Sequence, residues 1–190
     1  MLSKIDTILI GGAMAFTFLS SIGENVGASM VNLNEINIAN AIIDNAKKQN
    51  TKIVLPEDVV SSKNMSADAT FNVLKLDELK DDESGFDIGP ETVLNFSHIL
   101  SSAKTIIWNG PLGVCEIPAF ATGTESIAFT IRELTESGTL SIIGGGDTVA
   151  ALNNSGINKG FSHISTGGGA SLELLSGKKL PAFEALKIYA

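Results

Sequence analysis

Short runs of β-branched and apolar residues alternate with amphipathic stretches along the chain, and glycines mark the junctions between them. Thr7 to Ile10 reads as a buried strand, Gly11 and Gly12 as a turn, and Ala13 to Ser21 as a helix closed by Gly23. The same order of strand, glycine turn and helix returns at Lys104 to Trp108, at the run from Ser141 that ends in Gly144 to Gly146, and at "SHISTGGGASLELLSG", where Gly177 stops the helix. An amphipathic helix over about Leu33 to Gln49 leads to a strand from Lys52. Further helices over about Glu91 to Ser101 and about Thr124 to Ser137 precede the third and fourth strands. Strands alternating with helices imply parallel pairing through crossover helices, so the expected fold is an open three-layer α/β sheet, Rossmann-like, with helices on both faces. The segment from Pro56 to Gly89 is polar, with "LKDDES" at Leu79 to Ser84, and reads as an excursion carrying one short strand near Thr70 to Lys75. Because the helices are dissimilar, the recurrence reflects topology and not a sequence repeat.

Length and composition narrow the class. A chain of 190 residues with 44% hydrophobic and 18% charged content fits one domain with a substantial core. No apolar run approaches the roughly 20 residues of a membrane helix, and "MLSKIDTILI" lacks the shape of a signal peptide. The expected location is cytoplasmic. A single cysteine, Cys115, forbids an internal disulfide and reads as a small packed side chain. The formal charge of −8 argues against a nucleic-acid surface. The basic residues Lys47, Lys48, Lys52, Arg132, Lys178 and Lys179 all lie outside the glycine-rich loops. Trp108, His98 and His163 read as structural.

In open parallel sheets ligands bind beyond the carboxyl ends of the strands, where these glycine turns fall. Gly144 to Gly146 and Gly167 to Gly169 strip side chains from the backbone at two helix starts, which favours an anion. "GGAMAF" lacks the dinucleotide spacing G-x-G-x-x-G, and the chain contains no G-x-x-x-x-G-K-[ST] phosphate loop. Asp147 follows the glycines and repels phosphate unless a cation lies between them. It therefore reads as a Mg²⁺ ligand or as a helix N-cap, two roles that are compatible. Thr148 can donate its hydroxyl and amide to a phosphate oxygen. In "WNGPLGVCEIPAF", Glu116 reads either as an acceptor for ribose hydroxyls or as a cap for the following helix.

Six ordered motifs resemble the C-terminal half of phosphoglycerate kinases: "LIGGAMAFTFL", "KIVLPEDVV", "GFDIGPET", "WNGPLGVCE", "IIGGGDTVAA" and "SHISTGGGASLELLSGKKLP". The likeness runs from Lys4 to Pro181. It implies a single nucleotide-binding domain over residues 1–190, with ATP or ADP and Mg²⁺ as cofactors. It also implies that the family's N-terminal domain, which holds 3-phosphoglycerate or 1,3-bisphosphoglycerate, and its phosphate-binding hinge lysines belong to sequence preceding this chain. On that resemblance Gly12 and Ala13 lie against adenine, with Gly85, Phe86 and Val114 as further walls. Asn109 and Gly110 flank ribose and phosphates, and Glu116 binds the ribose. Gly145, Gly146, Asp147 and Thr148 form the phosphate and magnesium turn, with Asp147 as metal ligand. Gly167, Gly168 and Gly169 face the phosphoryl group in transfer. The chain departs from the family at Ala13, where a glycine is common, at Cys115 for phenylalanine, at Ser20 for lysine and at Ala182 for glycine. The resemblance implies an adenine nucleotide as partner, a fragment that binds Mg-nucleotide with negligible turnover alone, and full-length relatives that are monomeric. The alternative reading is a non-catalytic module acting through association.

Overall fold

The computed structural model describes residues 2–165 and 167–185; Thr166, in the last glycine motif, lies outside the described residues. Strand β1 (Thr7–Leu9) pairs in parallel with β2 (Lys52–Val54), placing Ile8 opposite Ile53. Helices α1 (Gly12–Ser21) and α2 (Ile36–Lys48) connect them. A 3-10 turn at Leu33–Glu35 precedes α2, whose last turn carries Lys47 and Lys48, where the negative end of the helix dipole favours cations.

The polar excursion is more ordered than its sequence suggests. It holds β3 (Asp58–Ser62), β4 (Asn72–Lys75) and β5 (Ser84–Ile88), an antiparallel sheet in the order β4-β3-β5. One strand was expected; three form, because the polar residues find partners and can be buried. All five residues of β3 are buried. Ser62 Oγ donates to the Thr70 carbonyl at 2.9 Å, and Asp58 accepts from the start of the next helix. The β3–β5 register shifts between Val60 and Ser61, which is a bulge.

After β5 the chain alternates as expected through α3 (Pro90–Leu100), β6 (Thr105–Asn109), α4 (Thr122–Glu136), β7 (Leu140–Gly144), α5 (Gly146–Asn154), β8 (His163–Ser165) and α6 (Gly168–Leu175). A short helix α7 (Pro181–Ala185) follows, which the sequence pattern did not suggest. Strands β6, β7 and β8 form a parallel sheet, and their register sets Asn109 beside Gly144 and Gly144 beside Ser165. The strand ends are therefore level, so the turns that leave them are neighbours.

The parallel strands form two ladders instead of one continuous sheet. They share one core: Val54 of β2 packs in a cluster with Ile88, Phe96, Trp108, Ile127, Ile131, Ile143 and Leu152. The Gly12 amide also donates to the Leu112 carbonyl at 3.1 Å, tying the first turn to the loop after β6. Among the described residues no helix is long and apolar enough to cross a membrane.

Candidate functional site

The turns after β6, β7 and β8 converge. Gly145 is the N-cap of α5 and adopts φ +98°, a backbone conformation that favours glycine. Its amide donates to the Ser165 carbonyl at 3.2 Å, joining the β7 and β8 turns. Gly168, the first residue of α6, closes the arrangement: a Cβ there would stand 2.5 Å from Gly145 Cα and 3.2 Å from Asn109 Nδ2. The Asn109 side chain also lies against the Gly145 backbone, with Oδ1 3.3 Å from where a Cβ would be. Three segments thus meet closely, with the side chains of Asn109 and Thr148 against the Gly145 backbone. Gly146 and Gly169 have open space where a Cβ would project, and both are exposed, as is Gly167. Two helices consequently begin side by side with uncovered backbone. Helix starts carry unsatisfied amides and partial positive charge, so the chemistry suits a phosphate-like anion.

Thr148, expected to offer its hydroxyl and amide to a phosphate oxygen, has a structural role in the folded chain. Its side chain is fully buried, and Oγ1 accepts the Gly110 amide at 2.8 Å. It ties the β6 loop to α5. Trp108 adds a second tie: it is core, as expected, but its Nε1 donates to the Gly110 carbonyl at 2.7 Å. Asp147 lies in the first turn of α5 and is exposed; the cap position belongs to Gly145, without a side-chain cap bond. Of the two readings open for Asp147, N-capping is not adopted, and its carboxylate stands at the positive end of a helix beside the glycine turns. Glu116 does not cap the following 3-10 turn at Pro118–Phe120 either. It is exposed and lines a 210 Å³ cleft with Cys115, Pro118, Ala121, Thr124 and Asn154.

A second group gathers at the adjoining strand ends. Gly12 contacts the loop through Leu112, exposed Ala13 follows it on α1, and the Val114 amide donates to the Phe86 carbonyl at 2.9 Å. Phe86 packs against Phe120 with ring centroids 5.0 Å apart. Gly85 is not at this surface. It is buried, its amide donates to Ser29 Oγ, and a Cβ would meet Phe16 Cζ at 2.4 Å, so it makes room for α1.

Three residues that shape these loops escaped the sequence reading. Thr124 Oγ1, buried in the first turn of α4, accepts the amides of Leu112 at 2.9 Å and Gly113 at 3.2 Å. Asp58 accepts from the Glu91 and Thr92 amides and from the Thr92 hydroxyl, capping α3 from another strand. Asp87 accepts from the Gly123 and Ile88 amides, and burial pushes its carboxyl up to about 7. The available signal for Asp87 was an acid inside the apolar, glycine-bounded run "GFDIGP". Burial likewise raises the Cys115 thiol, in keeping with a packed side chain. His98 and His163 are both exposed.

Fold and loops define an α/β protein whose level strand ends carry two adjacent, glycine-lined helix starts. Comparison with known proteins supplies the particular family. The sequence model of the phosphoglycerate kinase family matches residues 1–178. The chain belongs to the phosphoglycerate kinase family. A protein of Prosthecochloris aestuarii named phosphoglycerate kinase is 48% identical over 186 residues, 98% of this chain and 47% of that protein. One from Rippkaea orientalis with the same name is also 48% identical, over 46% of its length. The phosphoglycerate kinase structure from Coxiella burnetii superposes with a TM-score of 0.91 at 39% identity, covering 98% of this chain and 47% of that one. The Pyrococcus horikoshii enzyme gives 0.80 at 30% identity. The chain therefore spans about half the length of the relatives it matches.

Proposed function

We propose that this chain is the nucleotide-binding domain of a phosphoglycerate kinase, holding Mg-ADP or Mg-ATP across the ends of its parallel strands. In the complete protein the reaction is the reversible transfer of a phosphoryl group between 1,3-bisphosphoglycerate and ADP, giving 3-phosphoglycerate and ATP in the cytosol. The observation that carries this reading is the contact of Gly168 with Gly145, where a Cβ would be 2.5 Å from the neighbouring Cα, because that packing brings two bare helix starts together. Adenine is assigned to Gly12, Ala13, Phe86 and Val114, ribose to Asn109, Gly110 and Glu116, and the phosphates to Gly145, Gly146 and Gly167 to Gly169. Asp147 is the proposed holder of Mg²⁺, which typically uses one or two carboxylates together with substrate phosphates. When bound, the cation neutralises phosphate charge and orients the transferred group.

The chain's own residues bind and orient. Thr148 fixes Gly110 beside the phosphate turn, and Asn109 spaces the glycine backbones. Lys and Arg are absent from residues 109–116, 144–148 and 167–169, so the cations that phosphoryl transfer requires are assigned to the other half of the complete protein. Isolated, this chain is expected to bind Mg-ADP with negligible turnover.

Calorimetric titration of the chain with Mg-ADP tests the reading. Saturable heat that drops on Asp147→Ala in the presence of Mg²⁺ is the expected result. An absence of heat for the folded chain, or binding indifferent to Asp147→Ala, refutes it. Robust turnover in a coupled assay on the chain alone refutes the division of labour. A second reading, association through an apolar face, draws on the exposure of Met14, Met30 and Leu33. Concentration-dependent sedimentation without nucleotide affinity selects it.

A further inference from the structure

Asp87 is one of the most tightly enclosed acids in the fold, and no nucleotide contact above uses it. It sits on β5, 3% exposed, with Oδ2 accepting the Gly123 amide at 2.7 Å and Oδ1 the Ile88 amide at 2.9 Å. Gly123 is in the first turn of α4. A Cβ at Gly113 would lie 2.3 Å from Asp87 Oδ1, and one at Gly123 would lie 2.5 Å from it, so the carboxylate presses on both backbones. Its neighbour Phe86 accepts the Val114 amide, and Thr124, next to Gly123, accepts the Leu112 and Gly113 amides. Asp87 therefore stands at the joint of β5, the start of α4 and the loop that carries Val114 and Glu116.

We propose that Asp87 is a positioning residue for nucleotide binding: its ionised carboxylate holds the first turn of α4 by the Gly123 hydrogen bond while packing against Gly113 of the 112–116 loop, and proton uptake by Asp87 loosens that joint and weakens nucleotide affinity. The inference rests on the nucleotide-binding reading given above. An ionised carboxylate accepts with both oxygens, whereas a carboxylic acid turns one of them into a donor that opposes an N–H. The bonds lost are charge-assisted and among the stronger ones in a fold. Burial raises the carboxyl most, the two backbone amides lower it, and the Glu125 carboxylate on α4 raises it. Cys115, whose thiol feels the Asp87 charge, is the titratable neighbour on the loop side. On β3 the residue paired with Asp87 is Val60, and Phe16 of α1 packs against Gly85 two positions away.

The test is Mg-ADP affinity of the full chain by calorimetry over about one pH unit on either side of 7, with amide spectra following Gly113, Val114 and Gly123. Affinity is expected to rise by about tenfold as pH increases, the scale of one charge-assisted hydrogen bond, with the Gly123 and Val114 resonances sharing the midpoint. Asp87→Asn should bind weakly at every pH. Protonation of ADP itself is common to both proteins and cancels in the ratio of their affinities. Glu125→Gln, at an exposed position, should move the midpoint to lower pH and keeps the test decisive if Asp87→Asn does not fold. An Asp87→Asn chain with wild-type affinity and pH profile overturns the proposal, as does a Gly123 amide that does not titrate in this range. Absent Mg-ADP heat at any pH overturns the nucleotide reading itself; a titrating Gly123 amide in that same experiment identifies which of the two failed.

Discussion

Replacing Thr148 with valine separates two roles for one hydroxyl. In the folded chain Oγ1 is buried and accepts the Gly110 amide at 2.8 Å, so valine keeps the shape and removes the acceptor. A partly buried amide left without a partner costs about 1–2 kcal/mol. For a domain of this size that lowers the melting temperature by roughly 2–8 °C. Gly110 and Trp108 move together, because the Trp108 indole donates to the Gly110 carbonyl at 2.7 Å, so the loop beside the glycine cradle should shift with them. Mg-ADP affinity is then expected to fall by about tenfold, the equivalent of about 1.4 kcal/mol. Thr148→Ser retains the hydroxyl and loses one methyl, so it should stay within about 1 kcal/mol of the parent. The assay is a thermal melt of the three chains followed by calorimetric titration with Mg-ADP. A Thr148→Val chain that melts like the parent while losing nucleotide affinity would refute the reasoning, since that pattern belongs to a hydroxyl serving phosphate directly.

Gly168→Ala should destabilise by about 1–3 kcal/mol by overpacking, because the new methyl lands 2.5 Å from Gly145 Cα, whereas Gly169→Ala meets nothing within 4 Å. Equal melting temperatures for the two in urea-free buffer would contradict the proposed close approach. Stability should also depend on Asp87. Its folded carboxyl titrates at about 7 against an ordinary 3.8, so the native state holds the extra proton between those values and stability falls as pH rises from about 4 to about 7, then levels off. The span is worth on the order of 4 kcal/mol. Denaturant midpoints across that window should show the slope in the parent and lose it in Asp87→Asn; matching slopes in the two chains would remove Asp87 as the cause.

What could be read from the sequence was what local pattern controls. The helices α3 and α4 begin within two residues of their expected starts, because a Gly-Pro pair opens one and a regular apolar spacing defines the other. The glycine turns were legible because bare backbone at a strand end has a physical use that composition alone displays. Long-range polar pairing was not legible. Asp58 with Thr92, Asp87 with Gly123, and Thr124 with Gly113 join residues far apart in sequence or held by a fold-dependent turn; Asp58 and Thr124 read locally as ordinary polar residues, and the apolar run around Asp87 marks an unusual acid without naming its partner. The same blindness explains β3, whose Asp58, Ser61 and Ser62 fall in the stretch read as a polar excursion and are buried with partners. These partnered polar residues fix where the glycine loops lie. The glycines leave amides uncovered at the surface, while Thr148 holds Gly110, Thr124 holds Leu112 and Gly113, and Asp87 holds the Gly123 start of α4, so the course of the loops around the bare helix starts depends on buried side chains.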